Sequence, residues 1–266
     1  MKEHITRGII CLQDEYQFVY RIAAITYTIW EDGSFAYVFT PNYTVIDMLP
    51  ANLFQGIPGL DLSARKENYI RKNIIPVFIS ERAPGENRQD LWQLLEPHQM
   101  AYLNQLEWLI KTDTVYSGDL LYVKAYNSSD DKQTIRMDSV RTLGKRSVQI
   151  LRRLLESLCF GHDIVTQAFH IDDATRGLYY PLLMELYAQE KAYLKKRQST
   201  GIQQAALQGR YSGRKPLPID DTKLHEVLSD YQKGRISLPN AMKNLGVSQS
   251  TFYRRYRKWL NQENSQ

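Results

Sequence analysis

Gly209, Gly213, Pro216 and Pro218 put four helix-breaking residues between two stretches whose apolar residues recur at helical spacing. No helix or ladder strand runs through such a segment, so the chain must divide there. Before it, residues 180–207 read as one long helix, with Pro181 in the first turn and Leu182, Leu183, Leu186, Tyr187, Tyr193 and Leu194 along it. A helix of that length cannot bury its own apolar stripe. Self-association through it answers the need, and so does packing against another helix of the chain. After the break come three short helical patterns. Asp220 or Asp221 caps the first, on which Leu224, Val227, Leu228 and Tyr231 share a face, and Gly234 closes it. Residues 238–245 form the second, with Ala241 and Leu245 inward. Gly246 takes a tight turn, Val247 packs inward, and Ser248 or Gln249 opens the third, which runs through Phe252 and Tyr256 to Trp259.

The same break divides the charge. Residues 191–266 hold fifteen Lys or Arg and five Asp or Glu, while residues 1–190 hold nineteen and twenty-four, so the net +5 joins an acidic body to a basic tail. That asymmetry points to a polyanion as the partner of the tail. The chain has no apolar run near the ~18 residues of a membrane helix. Met1-Lys2-Glu3-His4 is not the start of a signal peptide. Cys11 and Cys159 lack Cys-x-x-Cys spacing and suit a reducing compartment. A cytoplasmic protein without a membrane partner is expected.

The body, residues 1–135, reads as a mixed α and β domain. A hairpin is predicted over 18–40 around the turn Glu31-Asp32-Gly33-Ser34, and a loop over 52–61. Strands are predicted over 73–79 and 120–123, a polar turn over 83–87, and helices over 91–95 and 101–110. The polar stretch 127–133 is the candidate boundary. Residues 136–208 read as helical: an amphipathic helix over 140–159 carries Val148, Leu151, Leu154, Leu155 and Leu158, with Lys145, Arg146, Arg152 and Arg153 on a solvated face, and the long helix follows. Residues 209–219 form an arm or linker and 220–262 a helix-turn-helix domain. The expected fold class is an α+β body, a long helix and an all-α C-terminal domain.

In the tail, Ser248, Gln249, Ser250 and Thr251 at the start of the third helix are residue types that read base edges in the major groove. Tyr253, Arg254, Arg255, Arg257 and Lys258 add phosphate donors, and Arg210, Arg214 and Lys215 lie in the arm. A basic three-helix bundle that packs on protein is the blander alternative. The coincidence of polar N-terminus, glycine turn and basic C-terminus favours double-stranded DNA.

Gly201-Ile-Gln-Gln-Ala-Ala-Leu-Gln-Gly-Arg-Tyr-Ser-Gly-Arg-Lys-Pro216, followed by the three helices with Leu245-Gly-Val-Ser-Gln-Ser-Thr-Phe-Tyr-Arg254, resembles the C-terminal end of serine recombinases of the resolvase/invertase family. His170-Ile-Asp-Asp-Ala-Thr-Arg-Gly177 and the helix with Glu190 and Arg197 extend the likeness upstream, so it covers about residues 170–260. The resemblance implies a dimer through the long helix, an arm in the minor groove and the third helix in the adjacent major groove. Met242 departs from the pattern, which has a small residue there; Ala241 beside it offers a swap of sizes. A fainter likeness, in residues 75–84 with Tyr116-Ser117-Gly118-Asp119, is to the non-catalytic N-terminal subdomain of HipA-type toxin kinases.

The family's chemistry has no counterpart. Its nucleophile is a serine after a Tyr-x-Arg-x pattern near the N-terminus, whereas the first serine here is Ser34, and Tyr20-Arg21-Ile22-Ala23 has the wrong spacing and an alanine. Thr142-Leu143-Gly144-Lys145 stands where the family has an arginine-flanked Leu-Gly, and Gly118 to Val123 only echoes the strand before it. The five histidines, His4, His98, His162, His170 and His225, have no metal-ligand spacing, so neither a metal nor a cofactor is expected. The expected function is a homodimeric DNA-binding regulator without catalytic residues, whose body senses a protein or small molecule. The alternatives are a divergent serine recombinase and a toxin–antitoxin-like interaction protein that autoregulates by binding DNA.

Overall fold

A computed structural model describes residues 3–208 and 219–263. Its strands are β1 (Glu3–Gln13), β2 (Val19–Trp30), β3 (Phe35–Pro41), β4 (Tyr69–Lys72), β5 (Leu121–Ala125), β6 (Thr134–Arg136), β7 (Asp163–Val165) and β8 (His170–Ile171). Its helices are α1 (Tyr43–Ile46), α2 (Val77–Ser80), α3 (Leu91–Leu95), α4 (Gln105–Thr112), α5 (Ser147–Cys159), α6 (Arg176–Leu207), α7 (Asp221–Gln232), α8 (Leu238–Leu245) and α9 (Gln249–Glu263). The chain separates into two compact units, Met1–Gln198 and Ser199–Gln266, and the division falls within α6. Among the described residues no helix is long and apolar enough to cross a membrane.

The first unit is mixed α and β. Its five-stranded antiparallel sheet has the order β4-β3-β2-β1-β5, and a smaller sheet has the order β6-β7-β8. The hairpin predicted over 18–40 is β2–β3, with Ile29 opposite Phe35. Gly33 turns it at φ +81°, and the Asp32 carboxylate accepts the Ser34 N–H at 2.9 Å. One sheet face packs Ile10, Leu12, Tyr20 and Phe39 against Leu106 of α4 and Leu154, Leu155 and Leu158 of α5. On β1 the neighbours Ile9 and Cys11 are also buried, in a separate cluster with Tyr122.

β1 has no counterpart among the sequence expectations. Ile9 to Leu12 are buried on both sides of the sheet, so the run shows no alternation. The strand predicted over 73–79 is displaced: β4 ends at Lys72, and Pro76 instead leads into the helical turn α2. The helix predicted over 101–110 begins at Gln105, where the Asn104 side chain accepts the Glu107 N–H at 3.1 Å. The helix predicted over 140–159 begins at Ser147, because Gly144 separates it from a short 3-10 turn over Val140–Leu143.

The boundary expected near residue 135 does not separate two units. Thr134 on β6 pairs in parallel with Asp163 on β7, so a sheet crosses that point. α5 and the first half of α6 also share the main core, through Leu158, Tyr180 and Tyr187. The Tyr20 hydroxyl donates to Asp14 Oδ2 at 2.7 Å, which leaves the Tyr180 hydroxyl to donate to Tyr20 across 2.8 Å. Arg82 lies between the rings of Phe78 and Tyr116 and pairs with Asp119. The two segments of the fainter likeness therefore meet on one buried guanidinium.

α6 starts at Arg176, earlier than predicted, so Pro181 lies inside it and deprives the Gly177 carbonyl of its helical donor. The early start has a local cause. The Asp172 carboxylate accepts the N–H groups of Ala174 and Thr175, both at 3.1 Å, and the next residue is held from several sides. Arg176 has no exposed surface. Its guanidinium donates to the carbonyls of Gly161 and His162 at 3.1 and 2.9 Å, to Asp163 at 3.0 Å and to Asp173 at 2.7 Å. Lys132 bridges the same carboxylates at 3.2 and 2.8 Å. Burial pushes the Asp173 carboxyl up, but hydrogen bonds from Lys132 and Arg176 outweigh that and hold it below the usual carboxylate range. A lowered carboxylate stabilises above its unfolded pKa, so this contribution is complete at neutral pH and fades as pH falls below ~4.

Replacing Arg176 with Met strands the carboxylates and should cost about 3–5 kcal/mol of stability in urea denaturation at pH 7. Lys132→Met, whose head group is half exposed, should cost about 1 kcal/mol or less. Equal losses would mean that Arg176 is no more an anchor than a surface charge.

Candidate nucleic-acid interface

The second unit builds three helices around one small core: Val227 and Leu228 of α7, Ala241 and Leu245 of α8, Val247, and Phe252 and Trp259 of α9. Asp220 caps α7 by accepting the Thr222 N–H at 3.2 Å. Pro239 sits in the first turn of α8, where its missing N–H is not needed. α8 ends at Gly246, at φ +65°, with the Gly246 N–H on the Lys243 carbonyl and the Val247 N–H on the Met242 carbonyl. This pair of bonds closes a helix with a left-handed residue and turns the chain sharply. Met242, the departure from the family pattern, is half-buried against the cluster, while Ala241 is the fully buried small residue.

α9 is seated by its rings. Phe252 and Tyr256 stack at 6.1 Å, Tyr256 and Trp259 stack at 6.1 Å, and Tyr231 of α7 meets Phe252 edge-on at 5.1 Å. With those residues inward, the helical period turns Ser250, Arg254 and Arg257 outward on one face. All three are exposed, as are Ser248, Gln249 and Lys258. Thr251 and Arg255 are half-buried. The Ser248 hydroxyl lies 3.1 Å from that of Thr251 and 3.3 Å from that of Ser250, so the polar start of α9 is a linked hydroxyl cluster. Tyr253 differs from the other residues singled out. It packs on Phe252 at 5.8 Å, and its hydrogen bond with Tyr231 pushes the Tyr231 hydroxyl above its ordinary pKa. Arg210, Arg214 and Lys215 lie outside the described residues.

Between α7 and α9 runs a groove of about 600 Å³. Asp221, Leu224 and His225 line it from α7, and Arg254, Arg255, Lys258 and Trp259 from α9. His225 and Asp221 were not singled out as binding residues from sequence. Their spacing of four on α7 places them on one face, but nothing local shows that α9 passes there. In the first unit a shallower depression of about 370 Å³ is lined by residues that include Arg153, Phe160 and His162. Burial, with Arg21 and Arg176 nearby, pushes His162 below its ordinary pKa.

The residues nearest to a recombinase nucleophile have other work. Ser34 sits in the β2–β3 turn with its hydroxyl on Asp32. Tyr20 is fully buried, and Arg21 is engaged with Asp130 and Asp131. Among the described residues no three His, Cys, Asp or Glu side chains are placed to hold a metal. No protein-family model matches the chain, and no curated protein matches it.

The Gly246 turn sets where α9 begins relative to α8. A Cβ there would meet open space, so the penalty of Gly246→Ala is conformational alone, about 1–2 kcal/mol. Amide hydrogen exchange should accordingly speed up roughly tenfold or more across α8 and α9, with protection in β1–β3 unchanged. Unaltered protection in α9 would show that the turn does not carry its seating.

Proposed function

We propose that this chain is a homodimeric, sequence-specific binder of double-stranded DNA, acting as a regulator, with α7–α9 as its helix-turn-helix and α9 as the recognition helix. One observation carries the reading. α9 is fixed by aromatic residues along one side while its opposite side offers a polar start, Ser248, Gln249 and Ser250, followed by Arg254 and Arg257. In this reading the start of α9 enters the major groove and contacts base edges, with Thr251 beside it. Arg254, Arg255, Arg257 and Lys258 hold phosphates, and the arm with Arg210, Arg214 and Lys215 follows the minor groove, as the family resemblance implies.

The exposed side of α6 supports the dimer. Its inward side chains, Tyr180, Leu183, Met184 and Tyr187, pack on the body, so Leu183 and Tyr187 of the predicted stripe are satisfied within the chain. Leu178, Leu182, Leu186 and Tyr193 remain exposed, Leu178 by 74%, and share another face. A second copy of the same helix covers such a face and presents two recognition helices to two half-sites. The absence of the recombinase motif, together with the engagement of Ser34, Tyr20 and Arg21 elsewhere, supports a regulator over a recombinase.

Selection from a random duplex pool, followed by a denaturing gel, tests the reading. An enriched motif and no covalent adduct are expected. A pool that stays random removes sequence-specific binding, and an adduct that survives denaturant makes the protein a recombinase. On the selected site, Gln249→Ala should cost ~1–3 kcal/mol and relax preference at one position. Arg257→Ala should weaken all sequences alike and lower the slope of log K against log salt by about 0.9. Leu182→Glu with Leu186→Glu should give monomers in sedimentation; dimers that persist would place the interface elsewhere.

A further inference from the structure

We infer that the depression at the end of α5, in the first unit, binds a small aromatic carboxylate, with Arg153 holding the carboxylate and Phe160, Ile135 and Leu143 holding the ring. The inference uses residues of the first unit alone and stands apart from the reading of α9.

The walls follow from the end of α5. Arg153, Glu156, Ser157 and Phe160 recur at helical spacing, so they share one face and line the space together. Ile135 of β6 and Leu143 of the 3-10 turn add apolar walls. The volume of about 370 Å³ lies at the small end of ligand pockets and admits one or two rings.

The aromatic wall is held in place before any ligand arrives. Phe160 and His162 stack with ring centroids 5.9 Å apart and planes 28° from parallel. Gly161 between them lies at φ +82°, and a side chain there would meet the Asn42 amide nitrogen at 2.9 Å. The turn that lays the two rings side by side therefore needs glycine. Arg176 fixes the same turn by donating to the carbonyls of Gly161 and His162. A flat ring that packs here orders little of the protein on binding.

The polar groups fit one carboxylate. Arg153 is exposed, and among the described residues no carboxylate pairs with it. Glu156, the carboxylate of the lining, is taken by Arg152 at 2.8 Å. His162 accepts the Gln133 N–H at Nδ1, 3.2 Å away, so the proton of its neutral ring sits on Nε2 as a further donor. One guanidinium matches a carboxylate in charge and in its two-pronged shape, whereas a phosphate dianion would keep a charge unmatched.

The test titrates the full chain, its Ile and Leu methyl groups labelled for NMR, with benzoate, benzamide and cyclohexanecarboxylate. Arg153 is exposed, so Arg153→Gln leaves the fold intact. Benzoate is expected to shift the methyl signals of Ile135 and Leu143 saturably. Benzamide, which has the ring without the charge, should bind roughly tenfold more weakly. Arg153→Gln should weaken benzoate by a similar factor and leave benzamide unchanged. Cyclohexanecarboxylate, which has the charge without a flat ring, should bind severalfold more weakly than benzoate. If benzoate moves neither methyl signal, or moves only those of Leu228 and Leu245 in the second unit, the depression is no carboxylate site. Equal binding of benzoate and benzamide, or of benzoate by the wild type and Arg153→Gln, removes Arg153 as the holder of the carboxylate. Equal binding of cyclohexanecarboxylate removes the aromatic preference. None of these outcomes bears on DNA binding.

Discussion

A guanidinium stripped of water has to find protein partners for its donors, and that requirement organises the middle of this chain. Arg176 meets it with two carbonyls from the α5–β7 connection, one carboxylate on β7 and one just before α6. Among the described residues its Nε has no partner, so one of the five donors stays unmatched. Once Arg176 is held there, the start of the long helix is settled. Tyr180 then meets Tyr20, and Tyr187 meets Phe18 at 5.2 Å. The small sheet, α5 and α6 thus become part of the body rather than an appendage to it. Loss of this one side chain would loosen all three together.

What could be read from sequence follows the range of the interactions involved. The β2–β3 hairpin was legible because Asp32 and Gly33 carry the turn within four residues. The three short helices were legible because their caps, glycines and inward residues repeat locally. β1 escaped because Ile9 and Cys11 are buried on the side of the sheet opposite Ile10 and Leu12, which erases the alternation that marks a strand. The division at residue 135 failed for a similar reason: Thr134 pairs with Asp163, and no local pattern announces a parallel partner so far along the chain. Arg82 and Asp119 show the same limit in a salt bridge.

The candidate site divides in the same way. The outward residues of α9 could be listed from helical period alone, because Phe252 and Trp259 identify the inward side. Tyr253 looked like a free donor, yet its bond with Tyr231 depends on how α7 lies against α9. The α7–α9 groove was invisible for that reason too, since its two walls are some thirty residues apart in sequence. In so small a unit, aromatic stacking does the work that a larger core performs elsewhere, and it leaves the remaining α9 surface free to be polar and charged.

The placement of the thiols has a practical consequence. Cys11 lies on β1 and Cys159 at the end of α5; both are buried, and the chain has no others. Burial pushes the Cys11 thiol up to about 12 and holds the Cys159 thiol well above its ordinary value, so neither reacts readily while its surroundings are closed. The second unit contains no cysteine. Alkylation kinetics on the unmodified protein would therefore report opening of the sheet and of α5 separately from events in α7–α9. The native chain carries its own probe for asking whether an event at one end is felt at the other.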